Sequence, residues 1–260
     1  MSTSHWHTRV KHWNKVTPPL RPHADSIAKQ IDLVGASSPR VLVLGVTPEL
    51  TRGFDNVVAV DKEQVMIDSL WIGDSATKTA IHADWYTVEL PPNSISGVVG
   101  DGSLNMVGFS QPVTTLVARL LDLMQPGARA AIRVFSRPEE LVTEQQVRTS
   151  TDLPWHAFRC LLNMHIAGTE GTNIPSKRML QKFNEMYPDR EQLCAQAGYD
   201  LEEISLSMDA YVNSPTSTSY PTRSEWIASM PPEAENVELA DAGSYPLAQH
   251  YPILSFTKAV

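Results

Sequence analysis

Residues 40–50 read RVLVLGVTPEL and residues 57–61 read VVAVD. In the first stretch Val41, Leu42, Val43 and Leu44 run straight into Gly45. Uninterrupted apolar runs of this length are what strands covered on both faces of a parallel sheet look like, because neither face alternates with water. Gly45 lets a ligand come close to the backbone. Thr47, Pro48 and Glu49 then have the order of a helix start: an N-cap, a first residue without an N–H, and a carboxylate favoured by the helix dipole. The second run closes on Asp61, 16 positions after Gly45, a spacing that suits a short crossover. A carboxylate at the tip of a second strand can accept hydrogen bonds from both hydroxyls of a ribose, as it does in dinucleotide folds.

Outward from this pair the same rhythm continues. Short β-rich runs at 80–82, 98–100 and 130–135 alternate with predicted helices at 64–71 and 113–124, where Leu116, Leu120 and Leu121 share one face. Pro126-Gly127 turns the chain from the second of these helices into the next strand. Upstream, the TPPLRP segment at 17–22 separates an arm bearing Trp6 and Trp13 from a helix whose predicted cap is Asp25. Beyond Phe135 helical patterns occupy 139–197, broken at Pro154 and around 168–175. Strand candidates follow at 201–208 and 252–257, and the Ser-, Thr- and Pro-rich stretch 212–243 between them reads as a loop or flap, with Tyr220 in it as a lid candidate.

The expected architecture is α/β, a Rossmann-like doubly wound, mostly parallel seven-stranded sheet with an inserted helical cap. Its parts are an N-terminal aromatic arm or lid at 1–24, a cofactor-binding core at 25–138, the cap at 139–198 and a C-terminal part at 199–260 that completes the sheet.

Composition narrows the function classes. The chain is 42% hydrophobic and 19% charged, which excludes a disordered or fibrous protein. A net charge of −8 argues against nucleic acid as a partner, since phosphate backbones are held by clustered Lys and Arg. Cys160 and Cys194 have no zinc-ligand spacing, so no metal is expected. No apolar run approaches the roughly 18 residues of a membrane span. The expectation is a reduced, cytoplasmic protein with a small-molecule acceptor and no membrane partner.

Two further stretches carry chemistry: IHADW at 81–85 and GVVGDGSLNM at 97–106. Each places an Asp just after a short strand. In open α/β sheets ligands bind outside the carboxyl ends of the strands, so Gly45, Asp61, Asp84 and Asp101 are predicted to converge on one crevice.

In the order of these motifs, residues 40–135 resemble the class I S-adenosylmethionine-dependent methyltransferases. The resemblance implies S-adenosyl-L-methionine as cofactor. It implies that Gly45, with Val46 and Thr47, faces the methionine end, that Asp61 with Lys62 holds the ribose, and that Asp84 meets the adenine amino group with Trp85 beside the ring. Asp101, Gly102 and Ser103 would lie near the methionine moiety and the transferable methyl. The sequence departs from the family pattern in its first loop. Val43 stands where an acid is common, and Thr47 and Glu49 stand in place of the second and third glycines. Glu49 is then the candidate carboxylate for the cofactor's amino group.

Two other readings remain open, an NAD(P)-dependent Rossmann oxidoreductase and a non-catalytic S-adenosylmethionine-binding protein. Against the oxidoreductase, the pyrophosphate fingerprint G-x-G-x-x-G is absent. No catalytic residue is assigned, but His156, His165 and Asn105 are candidates. The cap is expected to close the acceptor pocket, with His156, Arg159 and His165 as trial pocket residues.

Overall fold

The computed structural model describes residues 6–260, so the first five residues of the expected arm lie outside it. The apolar runs form the strands they predict: β1 (Val41–Leu44), β2 (Val57–Asp61), β3 (Lys78–His82), β4 (Ile95–Asp101) and β5 (Met124–Arg133). A small antiparallel pair, β6 (Asn173–Pro175) and β7 (Ser217–Ser219), stands apart from the sheet. The chain closes with β8 (Ala234–Ala240) and β9 (Ile253–Lys258). The main sheet has seven strands in the order β3-β2-β1-β4-β5-β9-β8. Strands β1 to β5 are parallel, and β9 runs antiparallel to both its neighbours.

Register decides where the strand tips lie. Leu44 at the end of β1 is level with Val60 on one side and Gly100 on the other, and Asp101 is level with Arg133. Gly45, Asp61 and Asp101 therefore leave the sheet side by side. The chain passes from β1 to β2 in one direction and reaches β4 on the other side of β1. This switch point is where an open α/β sheet gapes to admit a ligand.

Eleven α-helices, α1 (Trp6–Arg9), α2 (Ala24–Val34), α3 (Pro48–Arg52), α4 (Gln64–Leu70), α5 (Gln111–Leu123), α6 (Glu144–Thr149), α7 (Trp155–Glu170), α8 (Ser176–Met186), α9 (Arg190–Ala197), α10 (Leu201–Asp209) and α11 (Arg223–Ala228), together with three short 3-10 helices at Val10–Lys15, Leu104–Met106 and Ala248–His250, complete the elements of the described residues. A core containing Leu116, Val117 and Leu120 of α5 fills one side of the sheet, and Ile27, Ile31 and Val34 of α2 pack against the core on the other. Helices α6 to α10 bury a core of their own, built on Trp155, Phe158, Phe183 and Ile204, which meets the sheet through Phe135 and Tyr251. None of the helices is long and apolar enough to cross a membrane.

Three local expectations are corrected. The predicted strand at 201–208 is α10, because the Asp200 carboxylate accepts from the amides of Glu202 and Glu203 and starts a helix there. The stretch 212–243 is not all loop: it contains β7, α11 and the edge strand β8, and α11 opens on a reciprocal capping box between Thr222 and Glu225. The cap of α2 is the His23 ring, which accepts from the Asp25 amide, rather than Asp25 itself.

Asn105, a candidate to orient an acceptor, is fully buried and does structural work instead. Its amide nitrogen donates to the carbonyls of Phe135 (2.9 Å) and Ser219 (2.7 Å), and its oxygen accepts from the Phe135 amide at 2.9 Å. One side chain thus staples the turn after β4 to the end of β5 and to β7. Asn105→Leu strands these backbone groups in the interior at about 1–3 kcal/mol each. We expect the variant to lose about 3 kcal/mol or more in denaturant unfolding; a loss below about 1 kcal/mol would show that the staple does not hold these elements.

A candidate cofactor and acceptor cleft

The strand tips open into a cleft of about 420 Å³, inside the range of roughly 300–1,000 Å³ usual for small-molecule sites. Gly45, Val46, Thr47, Asp61, Lys62, Asp84, Trp85, Asp101, Gly102 and Ser103 all line it. Gly45 has φ +101°, a conformation other residues rarely adopt, and a side chain there would sit 3.7 Å from Oδ2 of Asp61. Its amide donates to the Val60 carbonyl at 2.8 Å, so the glycine turn is pinned against the tip of β2. Gly102, at φ +65°, passes so close to the Phe135 ring that a Cβ would run into it.

Asp61 is the buried acid of the site. Its Oδ1 accepts from the Glu63 amide at 2.9 Å, and burial pushes its pKa up to about 6. Asp84 turns the chain after β3, with Oδ1 accepting from the Tyr86 amide at 2.9 Å. The Trp85 indole donates to the Val60 carbonyl at 2.6 Å, which fixes the ring at the cleft wall next to Asp61. Asp101 is ion-paired with Arg133, whose guanidinium is fully buried. The Ser103 hydroxyl is buried with no hydrogen-bond partner.

Glu49 does not reach the cleft. Its Oε1 accepts from Nε of Arg21 at 2.6 Å, so this acid ties down the N-terminal arm rather than facing a ligand. His156 and His165 are likewise displaced from the cleft lining. Nδ1 of His156 lies 2.9 Å from the Thr17 hydroxyl and 3.2 Å from its amide, and His156 borders a separate cavity of about 50 Å³. Nδ1 of His165 is 2.7 Å from the Val142 carbonyl inside the core of the cap. Both histidines face inward because α7 is buried along nearly its whole length.

The arm and the cap supply the rest of the lining. Trp6, Trp13 and Leu20 come from the arm, and Arg159, Asn163 and Met179 from the cap, with Tyr211, residues 215–218 and Tyr220 following. The arm is held by Arg21 on Glu49, Thr17 on His156, and Nη1 of Arg133 donating to the Pro19 carbonyl at 2.8 Å. Of these partners, Arg133 had no sequence signal beyond being a cation at the end of an apolar run.

Neither protein-family models nor curated proteins match the sequence. Solved structures do match in shape. A Rhodobacter sphaeroides protein bearing the name of a Zn-dependent alcohol dehydrogenase is similar over 100% of both chains, at a TM-score of 0.56 and 13% identity. A Methanosarcina mazei protein described as one of the SAM-dependent methyltransferases is similar over 93% of this chain and 100% of its own, at 0.51 and 11%. The Haemonchus contortus phosphoethanolamine N-methyltransferase 2, solved with S-adenosyl-L-methionine, is similar over 99% of this chain and 58% of its own, at 0.50 and 12%.

The chain has the class I methyltransferase fold. The chemistry named for these neighbours differs, so what they share with this chain is architecture. Within that methyltransferase fold the strand order, with β9 inserted antiparallel between β5 and β8, accounts for the long excursion before the last strand.

The raised pKa of Asp61 has a stability consequence with a definite sign. The folded state holds this proton more tightly than the unfolded chain, whose ordinary value is 3.8. Stability from this group is therefore fully present below about 4 and is lost as pH rises through about 6. Burying the ionised form costs at most about 3 kcal/mol at neutral pH. Asp61→Asn should stabilise the ligand-free protein above pH 7, with the gain shrinking toward pH 4. Denaturant unfolding at several pH values checks this; a variant less stable than wild type at pH 8 would contradict it.

Proposed function

We propose that the protein is an S-adenosylmethionine-dependent methyltransferase acting on a small molecule. The observation that carries this reading is the pairing of Gly45 and Asp61: a backbone left bare by a left-handed glycine beside a buried carboxylate that keeps its charge at neutral pH at an energetic cost. Such a cost is expected where a ligand supplies the missing hydrogen bonds.

In this reading Asp61 accepts from the ribose hydroxyls. Trp85 and Asp84 bound the adenine, and Gly45, Gly102 and Ser103 border the methionine end, where the unpartnered Ser103 hydroxyl is a ready donor. A bound S-adenosylmethionine supplies an electrophilic methyl on a sulfonium. Transfer is an in-line displacement, so the work of the chain is to hold the acceptor at the methyl and exclude water. Trp6, Trp13 and Leu20 over one side and the cap over the other suit that task. Among the described residues no histidine lines the cleft. Burial holds the Tyr220 hydroxyl well above its usual pKa, so Tyr220 is a hydrogen-bond donor there rather than a base.

The oxidoreductase reading meets an obstacle at α3. That helix has five residues, its first is Pro48 without an N–H, and Glu49 in its first turn is committed to Arg21. A pyrophosphate would find few donors there.

Calorimetric titration tests the proposal. S-adenosylhomocysteine should bind and NAD should not, and Asp61→Ala should weaken S-adenosylhomocysteine by about 2 kcal/mol, close to 30-fold. Tight NAD binding without affinity for the sulfur ligand would overturn it. A protein that binds S-adenosylmethionine but forms no S-adenosylhomocysteine with any acceptor would be a binding protein on the same fold.

A further inference from the structure

The wall of the cleft opposite the strand tips has a different character. Among the described residues the sheet side carries four carboxylates, Asp61, Glu63, Asp84 and Asp101, whereas the cap side carries Arg159 and no acid. Arg159 is 3% exposed, and its Nε has no hydrogen-bond partner. Among the described residues no carboxylate lies within ion-pair distance of it; Glu203, which borders the small cavity on its other side and acts on it through space, makes its ion-pair approach to His156 instead. The guanidinium is held over the Tyr211 ring, 5.6 Å from its centroid. One helical turn further along α7, Asn163 faces the same cleft, with its amide nitrogen 3.3 Å from the Tyr220 hydroxyl and its oxygen buried and unpartnered.

A buried cation with no ion-paired carboxylate is costly, and the cost falls when a ligand brings the anion into contact. Arginine presents a planar fork that matches a carboxylate in two parallel hydrogen bonds. Among the described residues the cleft lining contains one other cation, Lys62, next in sequence to Asp61. One guanidinium balances a monoanion and leaves a phosphate dianion under-compensated. Tyr211 lies under Arg159, and Tyr220, Phe135, Met106 and Met179 add aromatic and apolar surface to the same cleft lining. We propose that the acceptor is a small molecule with an apolar or aromatic body and a single carboxylate, and that Arg159 binds this carboxylate while Asn163 orients the neighbouring polar group. This rests on the methyltransferase reading only for the word acceptor; the carboxylate site itself does not depend on it.

The test uses the full chain and two matched probe pairs, benzoate with benzamide and 2-naphthoate with 2-naphthamide, titrated with and without saturating S-adenosylhomocysteine. The acids should bind at least tenfold more tightly than their amides. Arg159→Met should abolish that preference while changing the affinity for S-adenosylhomocysteine less than twofold, and Arg159→Lys, which keeps the charge but not the fork, should recover part of it. If Arg159→Met does not fold, the wild-type preference and the lysine variant still decide. Equal binding of acid and amide, including no detectable binding of either, overturns the proposal. Phenyl phosphate binding more tightly than benzoate overturns the carboxylate assignment. A loss of S-adenosylhomocysteine affinity in Arg159→Met equal to the loss of benzoate affinity assigns the arginine to the cofactor and overturns the acceptor role. Failure of the wild type to bind S-adenosylhomocysteine would defeat the methyltransferase reading alone, since the acid preference is also measured without it.

Discussion

A guanidinium with no exposed surface sits at the tip of β5, where the sheet, the N-terminal arm and the core of the cap come together. Arg133 pairs with Asp101 on the neighbouring strand, donates to the Pro19 carbonyl of the arm, and lies 5.4 Å from the ring centroids of both Phe135 and Tyr251, where the sheet meets the core of the cap. Burial is the largest single influence and opposes its charge, but the Asp101 carboxylate and the Tyr245 hydroxyl together outweigh it and hold its pKa above the ordinary arginine value. Sheet, arm and cap meet at this one ion pair. Removing either partner would leave a buried charge uncompensated, a loss on the order of 3–5 kcal/mol. The same pair places Asp101 at the cleft wall, so the fastening of the fold and the floor of the site are one feature.

The parallel sheet was legible because its physics is local. VLVL and VVAV are buried on both faces, and such strands show as unbroken apolar runs. The site tips followed, since every parallel strand ends at the same edge. The edge strand β8 was missed for the opposite reason. AENVELA is half-exposed, carries a register shift between Glu235 and Glu238, and so shows neither a continuous run nor a clean alternation. Residues 204–208 misled in the other direction: Ile204, Leu206 and Met208 alternate with serines as a strand would, yet Ile204 and Met208 are also one helical turn apart and both are buried in the cap core. The Asp200 cap and the two glutamates after it were the signal that decided for helix.

Glu49 and His156 show a second limit. Glu49 reads as a cofactor contact because it lies one turn from Gly45, and His156 as a candidate base because it lies in the segment expected to cap the acceptor pocket. Their partners, Arg21 and Thr17, lie 28 and 139 residues away in sequence, in an arm whose docking no local pattern announces. The two residues lead to the arm rather than to the chemistry. Arg159 is the reverse case: of the three trial pocket residues of the cap it alone lines the cleft, and its burial with no ion-paired carboxylate, which no sequence pattern announces, is what makes it conspicuous.

The account rests on Asp61 being the ribose ligand. A crystal structure with S-adenosylhomocysteine tests this most directly. The account predicts both ribose hydroxyls within about 3 Å of the Asp61 carboxylate oxygens, the adenine against Trp85 and the homocysteine beside Gly45 and Gly102. A ligand seated elsewhere, or one whose ribose leaves Asp61 without a direct hydrogen bond, would contradict it.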